Sequence, residues 1–402
     1  MTVLRQGYII GALTGALWMV VLSTTAAVAM SFATGDPFRP SIILGLVIGA
    51  VWGAFLVSGI GGRAGRWGAA IIVFCVNVLG LGPMVMESSL SSGIVGAAVL
   101  SLSFLLSMDR ILESCAARDL TRHEWEDVVI RFLTGFGYIF FTAAVFIPFY
   151  VMVMTSFKNQ SELIQNPLDF SLDISKGWEL FRSYSELFGD FNFGQYLVTS
   201  FYISVLTVII TLAFSIPGAY AVARLRFKGQ AAFSRSILLI YMVPMIVLAL
   251  PIYIAFSMTG LRNSILGIVM IYPVTTIPVA LYMLQGYFRG LPGEVEEAGL
   301  MDGLGRLAVI WKITLPLSLP ALASVSLYVF MIAWNEFLLA FMLLDDPSKF
   351  TLTRGIASLN SSEIPRQHLM AGAVIATVPI MVIFLGLERF MTKGLTAGSV
   401  KG

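Results

Sequence analysis

The chain has 402 residues, of which 57% are hydrophobic and only 12% are charged. Soluble domains carry about 25% charged residues, so the composition excludes a soluble protein and indicates an integral membrane protein. The formal net charge of +2 gives no indication of a nucleic acid partner.

Ten apolar stretches predict membrane-spanning helices, because a bilayer core about 30 Å thick requires about 20 apolar residues in a helix. We expect the first to be a retained helix, since the apolar region of a signal peptide has only about 7–15 residues and further spans follow. The predicted spans are 7–32, 41–60, 67–86, 91–108, 128–155, 194–223, 236–258, 264–284, 317–344 and 369–390.

The basic residues predict the orientation of these spans. Lys and Arg concentrate in cytoplasmic loops, and alternate loops of this chain are rich in them, whereas the long segment after residue 155 leans acidic. We therefore expect both termini in the cytoplasm. The basic residues then placed on the cytoplasmic side are Arg63, Arg66, Arg110, Arg118, Arg122, Arg131, Arg224, Arg226, Lys228, Arg235, Arg289, Arg306, Lys312, Lys393 and Lys401.

Composition predicts three parts. Residues 1–107 hold four closely spaced spans with little charge, residues 108–127 form a charged cytoplasmic linker, and residues 128–402 hold six spans. Two larger external loops, about 157–193 and 345–367, interrupt the six-span part.

The sequence lacks the common catalytic and metal-binding signatures. It has no GxxxxGK[ST] phosphate loop, no HExxH, no paired-cysteine motif and no GxSxG elbow. Cys75 and Cys115 are far apart, and His123 and His368 are isolated, so neither a disulfide framework nor a metal site is indicated. We expect no catalytic residue in this chain.

Few ionisable residues lie within the predicted spans, which leaves little material for a proton or sodium relay. The main exceptions are Glu87, near a membrane edge, and Glu336 in the sequence AWNEFLLA. Glu336 is either a carboxylate that reaches water or a neighbouring helix, or a residue that shapes a translocation path. The candidates for that path are Trp334, Asn335, Glu336, Tyr241 and Tyr272.

A charged, turn-rich segment, EEAGLMDGLGRLAVIWKITLPL, joins the eighth and ninth spans at 296–317. Proline and acidic residues suit the first turn of a helix, where the helix dipole favours negative charge. Gly303 and Gly305 permit a helix C-cap with positive φ and a change of direction. The pattern predicts a helix–turn–helix on the cytoplasmic face, starting near Pro292, with Glu294, Glu296 and Glu297 in its first turn.

This segment resembles the loop signature of ATP-binding-cassette (ABC) importer permeases, which reads Glu-Ala-Ala, three residues, Gly, nine residues, Ile, one residue, Leu-Pro. Gly299 replaces the second alanine and keeps that position small. The matching residues are Glu297, Ala298, Gly303, Ile313, Leu315 and Pro316.

Three further stretches resemble the second permease subunit of maltose-type carbohydrate importers. They are AYAVARLRFKG at 219–229, WNEFLLAFMLLDDPSKFTL at 334–352 and GLTAGSVKG at 394–402. The resemblance covers about residues 130–402. It implies an all-α polytopic membrane protein, with a six-span type I ABC importer permease core preceded by about four extra transmembrane helices.

The resemblance also implies partners. In that family the signature loop, here residues 286–316 and called the coupling loop below, docks on a dimer of separate ATPase subunits that use ATP and Mg. A second permease subunit and an extracytoplasmic solute-binding protein complete the system, and the external loop 345–367 would contact the binding protein. No cofactor is expected on this chain itself.

Site residues follow from the same resemblance. The residues implied for ATPase coupling are Glu294, Glu296, Glu297, Ala298, Gly299, Asp302, Gly303, Ile313, Leu315 and Pro316. The residues implied for a tail that contacts the ATPase are Gly394, Leu395, Thr396, Gly398 and Lys401.

The function we predict is that of the permease subunit of an ATP-driven, binding-protein-dependent sugar importer in the bacterial cytoplasmic (inner) membrane. One alternative keeps the importer and changes the cargo to a polyol, glycerol phosphate or another small solute. A remote alternative is a secondary carrier or a membrane enzyme. The usual family member has one helix or less before the six-span core, so residues 1–127 are additional. They are either a peripheral helical scaffold that packs on lipid and on the core, or a docking site for the sister permease or another membrane protein.

Overall fold

The structure, a computed structural model, describes residues 6–86, 90–166, 169–237, 239, 243–361 and 364–396. The chain divides into two compact units, Met1–Leu180 and Phe181–Gly402. The predicted divisions after residues 107 and 127 stay predictions, and the first helix of the predicted six-span part belongs to the first unit.

The first unit consists mainly of apolar helices joined by short turns. Two short strands, β1 (Phe38–Pro40) and β2 (Met84–Met86), pair antiparallel with Phe38 opposite Met86; the sequence did not indicate them. The helices are α1 (Gly7–Thr34), α2 (Ile42–Ser58), α3 (Gly62–Val78), α4 (Leu90–Ile111), α5 (Arg122–Ser156) and α6 (Gln160–Gln165), followed by a 3-10 segment at Ile174–Phe181.

The described residues of the second unit form helices joined by turns and short loops, with no strand among them. Its helices are α7 (Arg182–Gly189), α8 (Phe193–Arg224), α9 (Gln230–Ser236), α10 (Met245–Met258), α11 (Ile265–Gly290), α12 (Gly293–Met301), α13 (Arg306–Val309), α14 (Leu315–Leu317), α15 (Leu319–Asn335), α16 (Leu338–Leu343), α17 (Leu352–Ser358) and α18 (Arg366–Thr396). A π-helical turn at Ile310–Thr314 joins α13 to α14, and a 3-10 turn at Pro347–Lys349 precedes α17.

Six of the described helices are long and apolar enough to cross a membrane, or seven if the bent pair Arg306–Leu317 and Leu319–Asn335 is one span. Two further helices, α2 and α10, are apolar but shorter. Each of the ten predicted spans overlaps a helix of the structure, and the all-α polytopic fold is confirmed. The count of ten spans stays a prediction.

The predicted boundaries were wrong in three places. The third span was expected to reach residue 86, but α3 ends at Val78, before Gly80 with a φ of 76° and Pro83. The seventh was expected from residue 236, but α10 begins at Met245, directly after Pro244. The ninth was expected over 317–344, but α15 covers only 319–335, with a bend of 83° before it.

Helices α1 and α2 pack at backbone distance through glycines of equal spacing. Gly11 and Gly15 lie four residues apart on one face of α1, and Gly49 and Gly53 do so on α2. A Cβ added at Gly11 would lie 2.9 Å from the Gly53 oxygen, and one added at Gly53 would overlap the Gly11 oxygen. This close approach therefore requires glycine, as at other small-residue interfaces between membrane helices.

Polar side chains join α1 and α3 to α4. The indole Nε1 of Trp18, on α1, donates to Ser107 Oγ at 2.6 Å. Arg66, on α3, forms an ion pair of 3.0 Å with Asp109. The two contacts fix α1 and α3 at the C-terminal half of α4.

Helix α5 displays its apolar side chains instead of burying them. No residue of its most apolar 18-residue window is buried, and Tyr138 and Phe141 are 73% and 69% exposed. A helix of this kind needs a cover of lipid or of another membrane protein.

In the second unit, small hydroxyl side chains join α8 to α11. Thr211 Oγ1 lies 2.6 Å from Thr276 Oγ1 on α11, and Ser215 donates to the Ile277 carbonyl at 3.4 Å. Hydrogen bonds of this kind are common between membrane helices. The pairing brings the C-terminal ends of both helices together beside the coupling loop.

Candidate functional site

The first half of the coupling loop is a short helix with a closed C-terminal end. Helix α12 carries Glu294 and Glu296 in its first turn, and the amides of Gly303 and Leu304 return to the carbonyls of Leu300 and Gly299, each at 3.1 Å. Gly303 has a φ of 85°, which confirms the predicted cap and turn.

Gly305 was expected to share this role, and that expectation was wrong. Its φ is −70°, an ordinary value for any residue, and it occupies the position directly before α13. The change of direction therefore depends on one glycine rather than on two.

The second half of the loop is a continuous but irregular helical path into the next span. The π-helical turn places Ile310 and Thr314 inside while Trp311 and Lys312 stay exposed. An 83° bend then separates the segment Arg306–Leu317 from α15. The second half of the coupling loop therefore lies at a steep angle to α15, the helix that follows it.

Two signature positions meet inside the loop. A Cβ added at Gly299 would lie 2.5 Å from Ile313 Cδ1, with Leu304 Cδ1 at 3.4 Å and Val309 Cγ2 at 3.7 Å. The contact explains why residue 299 is small, because α12 packs directly on the second half of the loop at this point.

We expect Gly299→Ala to be tolerated and Gly299→Val to be harmful. Alanine stabilises a helix by about 1 kcal/mol relative to glycine, and only the flexible end of Ile313 must move. Valine would also meet Leu304 and Val309, and overpacking costs about 1–3 kcal/mol. Thermal melting of the two purified variants in detergent checks this, and equal melting temperatures would contradict it.

Three acids were expected in the first turn of α12, but only Glu294 and Glu296 lie there, and Glu297 follows it. The three side chains also occupy different environments. Glu294 and Glu297 are exposed, whereas Glu296 is only 6% exposed. Its carboxylate accepts hydrogen bonds from Tyr220 (3.3 Å) and Thr314 (3.1 Å) and lies 3.4 Å from Arg224 Nε. Glu296 therefore anchors the loop from within.

The exposed side of the loop combines apolar and acidic residues. Met301, Leu307 and Trp311 are 87%, 74% and 71% exposed, and Glu297 and Asp302 lie exposed on α12 and at its end. Large exposed apolar side chains rimmed by charge mark protein interaction surfaces. The sequence pattern predicted the acids, but it gave no signal that these three apolar residues point outward.

The other predicted site residues are spread over the second unit. The last turn of α18 is formed by Gly394, Leu395 and Thr396, which are far from the coupling loop in the sequence. The remaining tail residues Gly398 and Lys401, the path candidate Tyr241 and the acid Glu87 lie outside the described residues.

Two path candidates, Trp334 and Tyr272, are buried in the second unit. Trp334 is buried, and its Nε1 donates to the Ala376 carbonyl on α18 at 3.1 Å. Tyr272 is buried on α11, while Asn335 is exposed at the end of α15. Their role in a translocation path stays a prediction.

Glu336 has a local structural task. Its two carboxylate oxygens accept the amides of Leu339 (2.8 Å) and Ala340 (3.1 Å) at the start of α16. A carboxylate at a helix N-terminus is stabilised by the free amides and by the helix dipole. These bonds hold the start of the helix that directly follows Glu336, and a role of this residue in a translocation path stays a prediction.

Comparison with known proteins agrees with this geometry. The family described as "Binding-protein-dependent transport system inner membrane component" matches residues 215–396. The Escherichia coli K12 "Inner membrane ABC transporter permease protein YcjP" is 37% identical over 269 residues, which is 66% of this chain and 95% of that protein. The Thermococcus litoralis "Trehalose/maltose transport system permease protein MalG" is 33% identical over 69% of this chain and 99% of its own length.

A solved structure shares the fold. It is the crystal structure of a bacterial ABC transporter involved in the import of the acidic polysaccharide alginate, with a TM-score of 0.57 and 22% identity. The match covers 67% of this chain and 98% of the matched one. About a third of this chain therefore has no counterpart in that subunit.

The helical membrane fold and the matched relatives together identify this chain as a transport permease. The chain belongs to the family of binding-protein-dependent transport system inner membrane components, the permease subunits of ABC importers. It is a multi-pass protein of the inner membrane. Members of this family are transport components rather than enzymes, and ATP hydrolysis takes place in a separate ATPase subunit.

Proposed function

We propose that this chain is the permease subunit of an ATP-driven importer for an uncharged oligosaccharide or related sugar. The observation that carries the proposal is the coupling loop, whose signature residues are either packed inside it or displayed on an acidic and apolar face. Relatives support the sugar: they include a trehalose/maltose permease, a diacetylchitobiose permease of Streptomyces coelicolor and an arabinooligosaccharide permease of Halalkalibacterium halodurans.

The charge distribution favours an uncharged cargo. Cationic residues of the long helices α8, α11 and α18 lie at or near their ends, for example Arg224, Arg289 and Arg366. An anionic cargo needs Arg or Lys along the path within the membrane. A neutral sugar is instead recognised by hydroxyl and aromatic groups, which these helices carry in number.

The partners follow from the family. An ATPase dimer, which uses ATP and Mg, docks on the exposed face of the coupling loop, and both termini of this chain lie on the same cytoplasmic side. The tail from Gly394 to Lys401 contacts that dimer. A second permease subunit completes the pathway, and a solute-binding protein delivers sugar to the external loop 345–367. Closure of the ATPases moves the coupling loop and opens the helix bundle to the outside.

Glu297→Lys tests the docking. Glu297 is exposed at the signature position, so a reversed charge there repels the basic groups expected in the ATPase cleft. We expect uptake to fall at least about 10-fold, and co-purification of the ATPase with the permease to fall with it, while the amount of permease in the membrane stays unchanged.

Glu179→Lys is the matched control, since it makes the same charge change at an exposed residue outside the coupling loop. Normal uptake in Glu297→Lys would contradict the docking role. Failure of any ATPase to co-purify with the unaltered chain would contradict the proposed function as a whole. The sugar itself is identified by screening the cognate solute-binding protein against oligosaccharides and polyols.

A further inference from the structure

We propose that Glu296, Tyr220, Arg224 and Thr314 form a rigid joint that transmits movement of the coupling loop to two membrane helices. This inference rests on the proposed function and adds the part of the chain through which the loop acts. It also gives a role to the sequence AYAVAR at 219–224, for which the family resemblance alone implies no role.

The joint gathers groups from three separate segments around one buried carboxylate. Tyr220 and Arg224 lie four residues apart and so share a face of α8. Both reach Glu296 on α12, Tyr220 through its hydroxyl and Arg224 through an ion pair of 3.4 Å. Thr314, at the end of the π-helical turn, donates at 3.1 Å to Oε1, the oxygen that also faces Arg224, whereas Tyr220 donates to Oε2.

Arg224 also fixes the entry to the coupling loop. Its Nη2 donates to the Leu291 carbonyl at 2.7 Å, at the junction between α11 and α12. One guanidinium group therefore holds both the start of the loop and the acid in its first turn. The planar, fork-shaped guanidinium group suits this double contact better than a lysine ammonium group does.

Burial distinguishes this joint from a surface ion pair. The side chains of Arg224 and Glu296 are only 17% and 8% exposed, so solvent and salt screen the pair little. A buried ion pair is a weak source of stability, because apolar residues of similar volume often stabilise a protein as well. What the polar arrangement supplies instead is a defined geometry with several directional bonds.

The geometry connects the loop to two long levers. Helix α8 extends over 32 residues from Phe193 to Arg224, about 48 Å at 1.5 Å per residue. Thr314 leads through α14 into α15 across the 83° bend. A rotation of α12 is therefore passed to both helices, provided that the carboxylate stays fixed to its three partners.

The test uses the complete transporter: this chain with its sister permease, its ATPase dimer and its binding protein. Glu296→Gln removes the charge and keeps the size, and Glu179→Gln, the same change at an exposed residue outside the coupling loop, is the matched control. We expect both complexes to assemble. Stimulation of hydrolysis by sugar-loaded binding protein should fall at least about 10-fold in Glu296→Gln only.

Two milder variants serve if Glu296→Gln fails to assemble. Tyr220→Phe and Thr314→Val each remove one hydroxyl group, and we expect each to lower stimulation about 2–5-fold with full assembly and unchanged basal hydrolysis. Arg224→Lys should act like Glu296→Gln, because one ammonium group cannot reproduce both contacts.

A distance measurement separates transmission from simple stability. Spin labels at Met301, on the exposed side of the loop, and at Val198, near the start of α8, are both well exposed at 87% and 65%. In the unaltered complex, ATP should shift a narrow distance distribution between them only slightly, whereas in Glu296→Gln the distribution should broaden. Stimulation and distances equal to those of the unaltered chain would overturn the joint. Loss of ATPase binding by the unaltered chain would instead overturn the proposed function.

Discussion

Replacing Gly303 by proline is expected to abolish uptake and transport-coupled ATP hydrolysis, while the permease still reaches the membrane. Gly303 has a φ of 85°, and proline is held near −65°. The substitution also removes the amide that bonds to the Leu300 carbonyl at 3.1 Å. The turn between α12 and α13 cannot form, so the exposed face of the loop loses its shape. Uptake by cells and ATP hydrolysis by the reconstituted transporter measure the loss.

Gly305→Pro provides the matched control two residues later. Gly305 has a φ of −70°, which proline adopts without strain. We expect this variant to keep most of the uptake, because proline is well suited to the start of a helix. Equal uptake in the two variants would contradict the assigned turn.

Gly53→Ala is expected to destabilise the first unit by at least about 2 kcal/mol. Its added Cβ would overlap the backbone oxygen of Gly11, and backbone atoms cannot move aside as a flexible side chain does. Helices α1 and α2 must then separate along their whole contact. A lowered melting temperature in detergent and faster proteolysis of the N-terminal region measure this effect.

Gly68→Ala makes the same chemical change where there is room. A Cβ at Gly68 has no neighbour within 4 Å among the described residues, and alanine favours a helix by about 1 kcal/mol over glycine. We expect the melting temperature to stay the same or to rise. A fall as large as that of Gly53→Ala would show that the close packing of α1 on α2 is not the cause.

The sequence predicted most of the coupling loop, because that loop depends on local rules. Its main features can be recognised from the order of the residues alone. They are a glycine that permits positive φ, acids in a first helical turn and the fixed spacing of the signature. The prediction failed at Gly305, where a second glycine has an ordinary φ. Glycine can adopt both positive and negative φ values, so the sequence alone does not show which of two neighbouring glycines the turn requires.

Long-range contacts explain the parts that the sequence did not predict. Glu296 is indistinguishable from Glu297 in sequence, and only its approach to Tyr220 and Arg224 makes it a buried acid. The end of the ninth span was misplaced because Glu336 interrupts an apolar run by capping α16. The pairing of β1 with β2 joins residues almost fifty positions apart, where three-residue strands leave no periodic signal.

Glu296 is buried and its neighbour Glu297 is exposed, which limits how the length of this segment can change in evolution. Each residue turns a helix by about 100°, so one inserted or deleted residue between Pro292 and Glu296 would rotate the buried acid toward solvent and bring another side chain to Arg224. Substitutions on the outer face leave this register unchanged. The number of residues before Glu296 is therefore fixed by the contacts of its carboxylate with Tyr220, Arg224 and Thr314, whereas the identity of the exposed residues is not.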